Sequence, residues 1–172
     1  MLIKILACLV MLAIAYQDFK YRAIHWLLFL LICVLFIIDA LTSMSLIQYA
    51  KNVYYNLILI VFQLTLLYLF YVIKGRNLKS ILNKIIGTGD VLFILLLSLF
   101  FSWHSFLFYY IGGLVFSIII WLLLKHLLII EEEFVPFAGL MAVFCILIII
   151  IELILPVYDR FNDSIFKLII YG

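Results

Sequence analysis

The chain has 172 residues, of which 70% are hydrophobic and 12% are charged, and its mean hydropathy is +1.41. Soluble domains are about half apolar and about a quarter charged, so this composition excludes a water-soluble globule and an intrinsically disordered chain. The net charge of +2 is small and distributed among loops, which gives no support for nucleic-acid binding. We therefore expect an all-α polytopic membrane protein that forms a single domain over 1–172.

Six apolar runs separated by polar residues predict about six transmembrane helices, at 1–17, 23–42, 53–73, 90–103, 106–130 and 135–156. A bilayer crossing needs about 20 apolar residues, so the fourth helix is short, and we expect the chain leading into it to dip below the membrane surface. We place its end at 102–105, where polar residues surround an interfacial Trp. An alternative continues this helix to Tyr110, with a turn at Gly112 and Gly113. The residues from 157 onward are expected to form an interfacial segment.

The positively charged residues predict the orientation of these helices. Seven lie in the loops after the first, third and fifth helices, at Lys20, Arg22, Lys74, Arg76, Lys79, Lys84 and Lys125, against four on the opposite side. The positive-inside rule therefore predicts that these loops are cytoplasmic and that both termini lie outside.

A cleaved signal peptide over 1–15 is an alternative interpretation, which Lys20 and Arg22 oppose because they lie just beyond the cleavage site.

The segment 74–90 precedes the fourth helix and combines helically spaced apolar residues with basic ones. This pattern is typical of a basic amphipathic helix lying on an anionic membrane surface, so the membrane lipids are an expected partner. An ordinary basic cytoplasmic loop is an equally good interpretation.

Two acidic residues stand at the membrane edge on the same predicted side. Asp18 ends the first helix and Asp90 begins the fourth, so the two carboxylates could meet if these helices pack together. Two carboxylates that share a site share a proton, and such a pair can activate water while protonating a carbonyl or a leaving amine. The alternative is that each Asp only caps the end of its own helix.

The residues around Asp90 favour the catalytic interpretation. Gly87, Thr88 and Gly89 come directly before Asp90, and an apolar run follows. Two glycines permit a close approach of an extended substrate, and a helix N-terminus favours an anion.

Three stretches, at 18–24, 87–90 and 133–139, together carry a resemblance to a known family. With these stretches the chain resembles, over about 10–157, the type IV prepilin peptidase family of GxGD membrane aspartic proteases in its short core-only form. The resemblance implies that Asp18 and Asp90 are the catalytic pair and that Gly87 and Gly89 form the active-site turn. It implies that the Pro136–Phe137 element is structural.

The resemblance also implies a reaction: hydrolysis of the short basic leader of a pilin-like precursor protein at the cytoplasmic face of a bacterial or archaeal membrane. No cofactor and no metal are expected. Larger members of the family carry a cytoplasmic domain with paired CxxC motifs and methylate the new terminus. This chain has neither the inserted domain nor the cysteine pairs, so methyltransferase activity is not expected.

Two departures from the family pattern keep other functions open. His25 and Trp26 stand where the family commonly has Pro-Asn, and Leu92 replaces a frequent Lys. The alternatives are an inactive family member that serves as a scaffold for filament or secretion assembly, and a small transporter.

Three consecutive acidic residues, Glu131, Glu132 and Glu133, precede the last predicted helix. They are expected either to attract the basic leader of a substrate or to form a solvated loop at a helix N-terminus.

Overall fold

The computed structural model describes residues 1–75, 87–128, 135–155 and 161. These residues form six α-helices and no strand: α1 (Leu2–Tyr21), α2 (Trp26–Ser43), α3 (Leu46–Ile73), α4 (Thr88–Leu97), α5 (Trp103–Leu128) and α6 (Phe137–Ile154). All except α4 are long and apolar enough to cross a membrane. The all-α fold and the helices of a multi-pass membrane protein are therefore confirmed.

Polar side chains begin two of the helices. The His25 Nδ1 atom accepts a hydrogen bond from the backbone N–H of Leu27 at the start of α2, and the Ser45 hydroxyl accepts one from Gln48 at the start of α3. Such N-caps satisfy backbone donors that have no partner within the helix. The turn between α1 and α2 is short and reverses the chain, so α2 runs back along α1.

Helix α6 lies at the centre of the bundle. More than half of its residues are buried (56%), against at most a third in any other long helix. It packs most extensively against α1 and also contacts α5 and α4. At Gly113 of α5, an added Cβ would lie 2.7 Å from the Met141 Cε of α6, so this glycine permits close packing of the two helices.

The fourth helix ends earlier than the sequence predicted. It stops at Leu97 rather than at 103, because the N–H groups of Ser98, Leu99 and Phe100 bond three residues back instead of four. The carbonyls of Ser98 and Phe101 then accept hydrogen bonds from the buried Asn56 side chain of α3, at 3.0 and 2.9 Å. The predicted break lies close by, since α5 begins at Trp103.

Candidate active site

Asp18 lies in the last turn of α1, where its side chain is buried against the start of α6. Its Oδ2 atom accepts a hydrogen bond of 2.6 Å from the backbone N–H of Gly139. The glycine is required for this approach, because an added Cβ would lie 3.0 Å from the same oxygen and 3.1 Å from the Asp18 Cβ. The first carboxylate is thus held by a backbone amide.

Asp90 is held by the next amide along the same helix. It lies in the first turn of α4, and its Oδ1 atom accepts a hydrogen bond of 3.2 Å from the N–H of Ala138. The carboxylate also accepts from the backbone of Gly87, the residue that caps α4. This is the acidic half of a capping box, in which the third residue of a helix reaches back to the cap.

The start of α6 explains why its amides are available to side chains of other helices. Pro136 adopts φ −75° and ψ 71°, an inverse γ-turn closed by a hydrogen bond from the Phe137 N–H to the Val135 carbonyl. The first N–H bonded within the helix is that of Leu140. The N–H groups between them, at 138 and 139, would otherwise lack partners, and the helix dipole makes this end favourable for anions.

The start of α6 brings the two aspartates to one place. The sequence analysis considered that they could meet if their own helices packed together, whereas the structure shows α1 and α4 each packed against α6. Two neighbouring amides of α6 then hold one carboxylate from α1 and one from α4. No polar side chain of α6 marks this role, so sequence reasoning missed Ala138 and Gly139 as the groups that assemble the pair.

Asp90 lies outside the five long apolar helices, and its pKa departs from the ordinary value. Burial, followed by the nearby carboxylate of Asp18, raises this pKa to about 6. The amides of Ala138 and Gly87 and the positive charge of Arg22 oppose the rise. A raised pKa with a carboxylate partner is typical of a pair that shares one proton.

Arg22 supplies positive charge beside both carboxylates. It ends α1 in the left-handed conformation, with φ 53°, and its backbone N–H donates to the Asp18 carbonyl oxygen. Its guanidinium lies over the indole ring of Trp121 in α5, 5.8 Å from the ring centroid. This cation–π contact ties the cation to a third helix.

The two glycines of the predicted turn differ in their surroundings. An added Cβ at Gly87 would lie 3.1 Å from the Asp90 Oδ2, whereas one at Gly89 would meet only the Ile24 Cδ1, at 3.9 Å. Gly87 therefore limits the position of the carboxylate. Gly89 has room for a side chain, so packing does not explain why a glycine stands there.

His25 has a structural part at this end of the bundle. In addition to capping α2, its backbone N–H donates to the Gln17 side-chain oxygen at 2.8 Å. Gln17, which the sequence reasoning did not single out, thereby links the end of α1 to the start of α2. Leu92 is 48% exposed on α4.

Several predicted features lie outside the described residues. These are the three glutamates Glu131, Glu132 and Glu133, most of the basic segment 74–90, and most of the interfacial tail. Within the part of the chain that is described, no cluster of three or more His, Cys, Asp or Glu residues could hold a metal ion.

Comparisons with known proteins give this chain no relative. No family model, curated protein or solved structure matches it.

Proposed function

We propose that this chain is a membrane aspartic endopeptidase of the type IV prepilin peptidase kind, with Asp18 and Asp90 as its catalytic carboxylates. The observation that carries the proposal is that consecutive amides at the start of α6 hold one oxygen from each of these residues. Two carboxylates that share a site can share one proton, which is the resting state that aspartic proteolysis requires.

The surroundings of the two residues suggest how the proton is shared. Burial and the Asp18 carboxylate raise the pKa of Asp90 to about 6, and the hydrogen bond of 2.6 Å from the Gly139 amide is one contribution that favours the ionised form of Asp18. Ionised Asp18 takes a proton from water as the water oxygen bonds to the peptide carbonyl carbon. Neutral Asp90 gives its proton to the carbonyl oxygen, which forms a tetrahedral diol. When the C–N bond breaks, the leaving amine takes the proton held by Asp18, and one hydroxyl of the diol returns a proton to Asp90 as the new carboxylic acid forms.

The charge at this end of the bundle supports an active site that faces the cytoplasm. Four of the described basic residues lie at the end that carries the carboxylates, namely Lys20, Arg22, Lys74 and Lys125, and two, Lys4 and Lys51, lie at the opposite end. The positive-inside rule then puts both termini outside. A substrate with a short basic leader before an apolar helix would present its scissile bond at this face.

One observation favours a second function, that of an inactive assembly scaffold. Both carboxylates also satisfy backbone donors of α6, so they would stabilise the fold even if no substrate were cut. A transporter receives less support, because the candidate residues lie at helix ends rather than along a path through the bundle.

A cleavage assay in liposomes separates these functions. The substrate is a synthetic precursor with a short basic leader and about 20 apolar residues, and product termini are read by mass spectrometry. Asp18→Asn and Asp90→Asn keep an oxygen acceptor for the α6 amides but cannot hold the catalytic charge. The matched control is Asp39→Asn, because Asp39 is a buried carboxyl in α2 at the opposite end of the bundle.

We expect wild type and the control to cut after the leader, and both active-site variants to lose activity while remaining folded. Cleavage that survives either substitution would overturn the assignment of the pair. Folded wild type that cuts no precursor would favour the scaffold.

A further inference from the structure

The contact between α1 and α6 is a seam with a polar pair at each end. Buried residues recur at alternating intervals of three and four along α1, at Ala7, Met11, Ile14 and Asp18, and a similar series runs along α6, at Gly139, Ala142, Cys145, Ile149 and Glu152. Such spacing is typical of two helices that pack along their length. Lys4 continues the α1 series by one step toward the N-terminus.

The first polar pair is the Asp18–Gly139 hydrogen bond, and the second is an ion pair between partly exposed Lys4 and buried Glu152. The Lys4 Nζ lies 3.0 Å from the Glu152 Oε1, and the Glu152 side chain is only 2% exposed. The two pairs are fourteen residues apart on α1 and thirteen on α6. At 1.5 Å per residue these lengths are about 21 and 20 Å, so both pairs form together in one register of the antiparallel helices.

The placement of these charges is unfavourable for each helix alone. Lys4 lies in the positive first turn of α1, and Glu152 lies in the negative last turn of α6. Because the helices are antiparallel, each charge lies instead beside the favourable end of its partner. The Lys4–Glu152 pair therefore stabilises the contact between the two helices rather than either helix alone.

The apolar middle of the seam combines small side chains, such as Ala7 and Ala142, with larger ones, such as Met11 and Ile149. Lipid supplies no hydrophobic force between these side chains, so van der Waals packing alone would select their alignment. Buried polar groups are the devices best known to fix register in packed helices.

We infer that Lys4 and Glu152 are positioning residues that fix the register of α1 against α6, so that Asp18 lies at the Gly139 amide about 20 Å away. A shift of α1 by one residue would move Asp18 by about 1.5 Å, enough to lose the hydrogen bond. The catalytic consequence of this inference rests on the proposed function, but the register itself does not.

The register can be read without any activity measurement. Ala138–Gly139 is the only Ala–Gly pair in the sequence. Labelling alanine with carbonyl ¹³C and glycine with ¹⁵N therefore selects one amide in a triple-resonance spectrum of the protein in micelles. A hydrogen bond to a carboxylate moves that Gly139 proton downfield, and Asp18→Ala, which has no side-chain acceptor, gives the reference for its loss.

Four variants test the inference against a matched control. Lys4→Met and Glu152→Gln each break the pair, K4M/E152M replaces it with apolar packing, and K4E/E152K reverses it. The control is Lys51→Met, which removes a positive charge from the same end of the bundle at an exposed site on α3. It controls for changes in membrane orientation.

We expect the Gly139 signal to move upfield in the single variants and in K4M/E152M, and to return to its wild-type position in K4E/E152K. In the cleavage assay, kcat should fall about tenfold or more in the first three variants with KM nearly unchanged, and the reversed pair should restore it. The control should resemble wild type in both measurements.

If the single variants fail to fold, K4M/E152M still tests the register of α1 against α6, because it leaves no buried charge unpaired. A wild-type Gly139 signal in folded K4M/E152M would overturn the inference. So would failure of folded K4E/E152K to restore the signal. If wild type cuts no substrate, the proposed function fails while the spectrum still tests the register. A shifted signal with unchanged kcat would overturn the positioning role.

Discussion

The Cα atom of Gly139 lies so close to Asp18 that a methyl group on it would come within 3.0 Å of the carboxylate oxygen and 3.1 Å of the Asp18 Cβ. Both the carboxylate and the body of α1 therefore rest directly on the backbone of α6. This contact makes one residue without a side chain responsible for both helix packing and the position of a candidate catalytic group.

We expect Gly139→Ala to separate α1 from α6, which would lower thermal stability in detergent and reduce cleavage at least tenfold, since a displacement of about 1 Å in a catalytic group can cost about a hundredfold. The control is Gly112→Ala in α5, where an added Cβ would make an ordinary contact of 3.6 Å with the Phe144 Cζ. That change should stabilise the helix by up to about 1 kcal/mol. Equal effects of the two changes would contradict the account of Gly139.

The two glycines before Asp90 should respond differently to Ala. Gly87→Ala places a methyl group 3.1 Å from the Asp90 Oδ2, so the carboxylate must move and kcat should fall. Gly89→Ala meets only Ile24 and should leave stability unchanged or slightly improved. If a substrate strand lies against this glycine, KM should rise in Gly89→Ala while kcat changes little. Unchanged kinetics in Gly89→Ala would remove Gly89 from the active-site turn.

The raised pKa of Asp90 predicts how activity and stability depend on pH. Activity that needs protonated Asp90 should fall as the pH rises through about 6. Between the unfolded value of 3.8 and this pKa, the folded chain holds more protons at Asp90 than the unfolded chain does. The contribution of Asp90 to the free energy of unfolding is therefore greatest below pH 4 and is lost as the pH rises toward 6. Asp90→Asn should abolish this contribution, and the difference between the two unfolding curves measures it.

Asn56 should hold the end of α4 in place. Asn56→Leu leaves the carbonyls of Ser98 and Phe101 without this donor inside the bundle, which should cost about 2 kcal/mol or more in the free energy of unfolding. The matched control is Asn52→Leu one turn earlier, because among the described residues the Asn52 side-chain nitrogen donates only to the weak Met44 Sδ acceptor, at 3.4 Å. Denaturant titration in mixed micelles compares the two, and a larger loss at Asn52 would contradict this role.

The sequence singled out Asp18 and Asp90 because a carboxylate at a membrane edge stands out against an apolar background. It did not reveal what holds them, since the donors at 138 and 139 are backbone amides, which every non-proline residue possesses. The composition correctly indicated an all-helical membrane fold.

The end of α4 was misplaced for a related reason. The apolar run resumes after Ser98 and continues through Phe101, whereas the helix stops at Leu97. The turn that follows is held by Asn56, more than forty residues earlier in the chain. A polar residue inside an apolar run gives no sign of which distant carbonyls it will meet. The local sequence pattern therefore predicted that the helix is interrupted, whereas the contact with Asn56 determines the residue at which it ends.

At Arg22 the backbone conformation favours glycine, whereas the charge beside the two carboxylates requires a basic side chain. Its left-handed conformation is one that glycine adopts freely and that costs other residues about 1 kcal/mol or more. Arg22→Gly should therefore relax the end of α1 while removing the cation that lies over Trp121 and opposes the raised pKa of Asp90. The end of α1 would be less strained, and the carboxylate pair would release its proton at higher pH. The pH at which this pair titrates would therefore depend on a residue whose own backbone conformation is unfavourable.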